Sequence, residues 1–118
     1  MAYLEGKTLK DISQEIYDSL LGFSDKEKYY KQLEDYRYID KVCDLRLGSY
    51  TKIYINSKWK GGILTKIDVY EENISLLLKN KSCFQRYSFN DSIVYQKLSL
   101  DEKMILLSYE YYTNNESK

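Results

Sequence analysis

The stretch covering residues 50–98 limits the fold of this 118-residue chain more than any other part of it. It contains five short runs rich in Ile, Val, Leu, Tyr and Phe, and polar residues such as Asn, Ser and Glu separate one run from the next. β-branched and aromatic residues favour strands, and strands that recur about every eight to twelve residues are typical of small all-β units. The stretch therefore predicts an antiparallel meander that curls on itself.

The predicted strands cover residues 50–55, 59–69, 74–78, 83–89 and 93–98. The Gly61-Gly62 step inside the second strand is typical of a bulge or a sharp bend. Alternation along the second and third strands predicts one inward set of side chains, namely Ile63, Ile67, Val69, Ile74, Leu76 and Leu78. Leu64 and Leu77 are then expected to point outward, where the terminal helices would cover them.

Two amphipathic helices are predicted before this stretch. Thr8 and Asp11 resemble an N-cap pair, and Gly22 is expected to end the first helix in a left-handed conformation. The apolar positions of this helix are Leu9, Ile12, Ile16, Leu20 and Leu21. A capping box at residues 24–27 predicts a second helix that extends to about residues 35–39.

A connector and a final helix complete the predicted elements. Residues 37–47 carry scattered apolar side chains that we expect to pack against the sheet. A capping box at residues 99–102 begins the last helix, and Met104, Leu107 and Tyr111 lie on its predicted apolar side.

The predicted fold class is α+β: a small five-stranded SH3-like barrel or curled antiparallel sheet, flanked by two N-terminal helices and one C-terminal helix. A chain of this length and apolar content is expected to form one domain with a core of its own. Its predicted parts are a helical region at 1–45, a barrel at 50–98, a helix at 99–113 and a frayed tail at 114–118.

Part of the barrel region carries a recognisable motif. Gly62-Ile63-Leu64, then Asp68, then Asn73-Ile74-Ser75-Leu76 form a Gly-x-hydrophobic, Asp, Asn-hydrophobic pattern. In this the region resembles the Sm-like family of small barrels, although residues 89–94 replace the family's Arg-Gly step and the turn after Asp68 is one residue longer. The resemblance implies a barrel that binds nucleic acid or protein segments, or that assembles into rings and larger complexes.

The residue types present argue against catalysis. The chain has no histidine, which excludes Ser-His-Asp and Cys-His catalysis and histidine metal ligands. It has no phosphate-binding glycine loop, and two cysteines cannot complete a zinc site. We therefore predict that the protein is not an enzyme and uses no cofactor. A magnesium site built from Asp68, Glu71 and Asp91 stays open, although no spacing favours it.

The charge distribution suggests an anionic ligand. Residues 46–98 carry 9 basic and 4 acidic side chains, a net charge of +5. Residues 1–45 carry 7 basic and 10 acidic side chains (−3), and residues 99–118 carry 2 basic and 4 acidic ones (−2). Lysines neutralise phosphates and exposed aromatic rings stack on bases. The candidate nucleic-acid-binding residues are Lys52, Tyr54, Lys58, Trp59, Lys60, Lys66 and Arg86. The alternative is that Trp59 closes the barrel, the lysines protect strand edges and the acidic helices balance the charge.

Tyrosine is the compositional outlier, with 14 residues among 18 aromatic ones. Tyrosine is enriched in protein interfaces because it offers a large contact area at low entropic cost. The principal prediction is a non-catalytic binding or assembly module that acts through protein–protein contacts or self-assembly, as a component of a larger complex or a viral particle. Single-stranded RNA or DNA is the alternative ligand.

The sequence also bears on the location of the protein and on the state of its two cysteines. The first ten residues contain no apolar signal region, and no apolar run is long enough for a membrane span. We therefore predict a protein that is not secreted and has no membrane partner. It is expected to be intracellular or to lie inside a viral particle. Cys43 and Cys83 are widely spaced and are expected to be reduced and buried, with a disulfide between them as the less favoured outcome.

Overall fold

A computed structural model describes residues 7–81 and 83–116, with the side chains of 7–81 and 83–108. The helices are α1 (Leu9–Ser19), α2 (Lys26–Gln32) and α3 (Leu100–Glu116). The strands are β1 (Tyr36–Ile39), β2 (Tyr50–Ile55), β3 (Lys58–Tyr70), β4 (Asn73–Asn80), β5 (Cys83–Ser88) and β6 (Ile93–Lys97), and a 3₁₀ turn covers Val42–Asp44. None of the described helices is long and apolar enough to cross a membrane.

The six strands form one antiparallel sheet that does not close into a barrel. Their order is β1-β6-β2-β3-β4-β5, so β1 and β5 are its edges. The predicted α+β class is confirmed, and the five predicted strands correspond to β2–β6. Contacts within the chain group it into two compact units, residues 39–97 and residues 1–38 with 98–118.

The sixth strand, β1, lies where the prediction extended the second helix and began a connector. That prediction is wrong because α2 ends at Gln32 and the Tyr-Arg-Tyr-Ile sequence of β1 begins four residues later, at Tyr36. Tyr36, Arg37 and Ile39 are all buried, so the strand shows neither the period of a helix nor the alternation of a half-exposed strand. Aromatic and β-branched side chains favour the extended backbone here.

The core of the 39–97 unit lies on one face of the sheet. Its buried members are Ile39, Ile53, Leu64, Leu76, Leu78 and Val94. We call this the core face and the opposite side the outer face. Side chains directly opposite each other on antiparallel strands share a face, so the pairs Ile53–Val94 and Leu64–Leu78 bring four of these residues together.

A β-bulge in β3 changes the predicted inward set. Leu64 pairs with Leu78 but Lys66 pairs with Leu77, which leaves Thr65 as an extra residue. Its Oγ1 donates a hydrogen bond to the Leu77 carbonyl at 3.0 Å. The extra residue reverses the alternation, so Leu64 is fully buried and Ile63 is 44% exposed, opposite to the prediction.

Beyond the bulge, the predicted inward orientation is correct for some side chains of β3 and β4 and wrong for others. Leu76 is buried as predicted, and Ile67 and Ile74 pack at the margin of the core. Val69 is 64% exposed because it lies at the end of β3 beyond the buried region, and Leu77 is only partly buried.

The bulge lies at Thr65 and not at Gly61-Gly62 as predicted. The two glycines are explained by close packing instead. A Cβ on Gly62 would lie 2.8 Å from the Lys79 carbonyl oxygen, and one on Gly61 would lie 2.6 Å from Tyr50 Oη. Neither glycine has a positive φ. Glycine is needed here because a neighbouring strand and a tyrosine side chain approach the backbone closely.

A buried glutamine fixes the connector before β2. Gln96 Oε1 accepts a hydrogen bond from the Arg46 backbone nitrogen at 2.8 Å, and Gln96 Nε2 donates to the Arg46 carbonyl at 2.9 Å and to Thr51 Oγ1 at 3.0 Å. Both Gln96 and Thr51 are fully buried. Leu47, which we expected to pack on the sheet, is 63% exposed, so polar contacts supplement the apolar ones in this connector.

The helical unit confirms the predicted start of α1. Thr8 caps the helix with Asp11 in a complete capping box, and Ile12, Ile16 and Leu20 are buried. Leu21 is 59% exposed because the helix has already ended, and Gly22 has no left-handed φ. α2 has Asp25 at its N-cap position without a side-chain hydrogen bond, so the predicted capping box is wrong there.

The capping box of α3 is confirmed, but its predicted apolar side is wrong. Ser99 and Glu102 exchange backbone-to-side-chain hydrogen bonds of 3.0 and 3.1 Å. The buried positions are Glu102 and Leu106, whereas Met104 is 57% and Leu107 49% exposed. The side chain of Tyr111 lies outside the described part. The helix continues through residues 114–116 of the predicted tail, and residues 117–118 also lie outside it.

One buried ion pair explains why a glutamate faces inward. Arg37 Nε donates to Glu102 Oε2 at 3.0 Å, and both side chains are almost completely buried. The other carboxylate oxygen of Glu102 accepts the Ser99 N–H. The same carboxylate thus caps α3 and neutralises an arginine of β1, so this charged residue of the first helical turn is buried.

We expect Glu102→Ala to lower the free energy of unfolding by about 3 kcal/mol or more, because it leaves a buried guanidinium without this carboxylate. Lys103→Ala is the matched control. It removes the more exposed pair between Lys103 Nζ and Asp35 Oδ1, 3.1 Å apart, and should cost less than about 1 kcal/mol. Urea unfolding followed by circular dichroism measures both. Equal losses for the two variants would contradict the role assigned to the buried pair.

Candidate interaction surface

The pairing of the strands decides where the predicted nucleic-acid-binding residues lie. Lys52, Tyr54 and Trp59 are on the outer face, where Tyr54 pairs with Trp59. Lys58 and Lys60 stand opposite Ile55 and Ile53 and therefore belong to the core face, at its exposed end. The seven residues divide between two faces, and their role in nucleic-acid binding stays a prediction.

Trp59 belongs to an aromatic cluster. Its ring centroid lies 5.1 Å from that of Tyr54 in an edge-to-face arrangement and 5.8 Å from that of Tyr95, which is fully buried. Such contacts stabilise the rings against each other and reduce the ring area left for a ligand. Nearby, burial lowers the pKa of the Lys52 ammonium from its ordinary value, so this lysine is not a fully solvated phosphate contact.

The last two predicted cations already contact a carboxylate. Asp68 accepts a hydrogen bond from Arg86 Nη1, and Lys66 Nζ lies 3.4 Å from its other oxygen. All three side chains are on the outer face, but Lys66 is seven residues along β3 from Trp59, roughly 20 Å away at about 3.3 Å per residue. Lys66 and Arg86 therefore form a separate, partly neutralised cluster.

A different set of outer-face residues forms a continuous exposed row. Tyr50 pairs with Ile63, Ile63 with Lys79, and Lys79 with Phe84, so the row crosses four neighbouring strands. Tyr50 is 40%, Ile63 44% and Phe84 56% exposed. Lys79 Nζ lies 5.7 Å from the centroid of the Phe84 ring, within reach of a cation–π contact. We call these four residues the cross-strand row.

Sequence reasoning missed the cross-strand row because it assigned Ile63 to the core. The signal that could have found it is Thr65: an unbroken alternation places Ile63 and Ile67 on the same face, and a single extra residue between them is needed for Leu64 and Ile67 to share the core face. Tyr50 and Phe84 follow from the same register once Ile63 is known to point outward.

β5 provides an open edge beside the row. It is the last strand of the sheet, and the side chains of Cys83–Arg86 are exposed. An edge strand presents unpaired backbone N–H and C=O groups that can pair with another chain. Cys83 at its start and Cys43 in the 3₁₀ turn are both free and exposed, which corrects the prediction of buried thiols.

A groove lies beside the turn between β4 and β5. It has a volume of about 460 Å³ and is lined in part by Lys60, Leu78, Asn80, Lys81 and Tyr87. Its lining mixes ammonium groups, amides and apolar surface. Among residues 7–81 and 83–108, no three His, Cys, Asp or Glu side chains are placed to hold a metal ion, so Asp68, Glu71 and Asp91 do not form the magnesium site left open above.

The Asp68 cluster has a measurable pH signature. The Arg86 hydrogen bond, with Lys66 second, holds the pKa of the Asp68 carboxyl below its ordinary value. Because the pKa is lower in the folded state, the stabilisation by this pairing is present above the ordinary carboxyl pKa and is lost as the pH falls through the lowered one.

We expect Arg86→Gln to raise the pKa of Asp68 more than Lys66→Gln does, as measured by NMR titration of the side-chain carboxyl. Lys58→Gln is the control, and an Asp68 midpoint unaffected by Arg86→Gln would contradict the assignment.

Comparison with protein-family models, with curated proteins and with solved structures finds no match for this chain.

Proposed function

We propose that this chain is a non-catalytic protein-binding module that holds an extended, acidic segment of a partner protein against the outer face and the β5 edge. The observation that carries the proposal is the cross-strand row, where three large apolar side chains remain 40–56% exposed on a paired sheet. The module would act as a component of a larger assembly.

The row has the composition of a recognition surface. Aromatic residues are enriched in interfaces, and contiguous exposed apolar residues on a folded surface mark sites of interaction. The three apolar residues lie on three different strands, and hydrogen-bonded pairing fixes their spacing. A surface built on paired strands is better ordered before binding than one built on loops, which lowers the entropic cost of association.

The edge of β5 supplies the second contact. An extended segment that pairs with β5 would continue the sheet, with backbone hydrogen bonds as the source of affinity and alternate side chains as the source of specificity. Its outward-facing side chains would lie beside Phe84 and Arg86. The apolar ones among them could extend the cross-strand row by one strand.

Charge favours an acidic partner segment over the same basic surface of a second copy of this chain. Residues 46–98 carry 9 basic and 4 acidic side chains, so two such regions brought together would repel each other. In the described part of the chain Lys79 forms no ion pair, and it stands between Ile63 and Phe84. A carboxylate of the partner beside this ammonium would fix the register of the bound segment.

We propose that β2–β6 have an SH3-like, Sm-like arrangement that remains open. The adjacency of β2 to both β3 and β6 supports it, because the last strand of the meander returns to the first. Small sheets of this kind leave an edge free to bind another chain, which agrees with the proposed use of β5.

Single-stranded nucleic acid is the second candidate ligand. The exposed rings of Tyr50 and Phe84 beside Lys79 could stack on bases and neutralise a phosphate. Protein binding is preferred because Asp68 contacts Lys66 and Arg86, and because Trp59 packs against Tyr95. Fluorescence anisotropy with labelled RNA and DNA strands at two salt concentrations separates the two ligands, since phosphate contacts weaken steeply with salt.

The test selects peptides from a random displayed library on the immobilised protein and measures the affinity of the selected peptides. We expect sequences that combine acidic and apolar residues, and we expect Ile63→Ser to weaken their binding about tenfold or more, as for a central interface residue. Val69→Ser is the matched control, because it removes an exposed aliphatic side chain from the same strand outside the row and should leave the affinity unchanged. Peptides that bind both variants equally, or tight salt-sensitive binding of oligonucleotides alone, would contradict the proposal.

A further inference from the structure

The groove at the β4–β5 end of the sheet has a chemistry of its own. Lys60 enters it from β3, Leu78 from β4 and Gln85 from β5, and Lys81 lies in the turn between β4 and β5. Pairing places Leu78 opposite Gln85, so both side chains are on the core face, away from the cross-strand row. The groove and the row are therefore on opposite faces of the same hairpin.

The groove offers hydrogen-bond donors to an anion. Among the described residues neither Lys60 nor Lys81 forms an ion pair. Tyr87 donates its hydroxyl proton to Gln85 Oε1, so the acceptor end of this amide is occupied and its NH₂ end can donate. Two ammonium groups and one amide NH₂ suit a ligand that accepts hydrogen bonds and carries negative charge.

We infer that this groove binds a carboxylate group of the partner segment, an inference that rests on the proposed function. Cys83, Gln85 and Tyr87 line the groove and belong to the open edge strand, so a segment that pairs with β5 would bring every second side chain to the groove. The carboxylate comes either from such a side chain or from the C-terminus of the partner.

The experiment measures amide shifts of the ¹⁵N-labelled full-length protein with three small probes. Acetyl-glutamate amide carries a side-chain carboxylate, acetyl-alanine carries a terminal one, and acetyl-glutamine amide is the neutral control. We expect the amides of Gly61, Cys83 and Gln85 to shift saturably at probe concentrations on the order of 10 mM for at least one carboxylate probe and not for the neutral one. The probe that binds identifies the source of the carboxylate.

Charge variants localise the binding. Lys60→Gln and Lys81→Gln should each weaken it about fivefold, whereas Lys58→Gln, an exposed lysine outside the groove, should change it less than twofold. Shifts that are absent, equal for the neutral probe, or unaffected by both groove variants would overturn the inference. Ile63→Ser separates the two proposals, because it should weaken peptide binding at the row and leave the probe shifts in the groove unchanged.

Discussion

The extra residue at Thr65 is the constraint on which the arrangement of the sheet depends. A strand alternates its side chains with a period of two, so one inserted residue exchanges the faces on either side of it. Because of the bulge, Leu64 and Ile67 share the core face although three positions separate them. The buried Leu64 and the exposed Ile63 are two results of the same local irregularity, which Thr65 stabilises through its hydrogen bond to the neighbouring strand.

The bulge links the core to the proposed function. Without it, either the core would lose an aliphatic residue or the outer face would lose the centre of the cross-strand row. Glycine at position 61 allows Tyr50 to lie across β3, and glycine at position 62 allows β4 to approach closely. The sheet thus combines a tightly packed face with an exposed apolar row, and its open β5 edge lies beside both the row and the basic groove.

Local signals in the sequence predict much of this fold, and non-local ones do not. The caps at Thr8 and Ser99 and the five strands of the meander depend on neighbouring residues, so the sequence predicts them. The strand β1 and the buried Glu102 depend on partners far along the chain: Arg37 and Glu102 are 65 residues apart. No periodicity reveals such a partner. The predicted nucleic-acid-binding residues lie on β2, β3 and β5, and the cross-strand row was missed because one residue decided which side chains face outward.

The most direct test of this account is the set of cross-strand contacts between β3 and β4 in solution, read from nuclear Overhauser effects between backbone protons. The bulge predicts that Ile67 lies opposite Leu76, on the register that follows Lys66 and Leu77. Regular pairing continued from Leu64 and Leu78 would instead place Ile67 opposite Ser75. Contacts between Ile67 and Leu76, with Ile63 still opposite Lys79, would support the account. Contacts between Ile67 and Ser75 would remove the bulge and, with it, the physical reason for the exposed row.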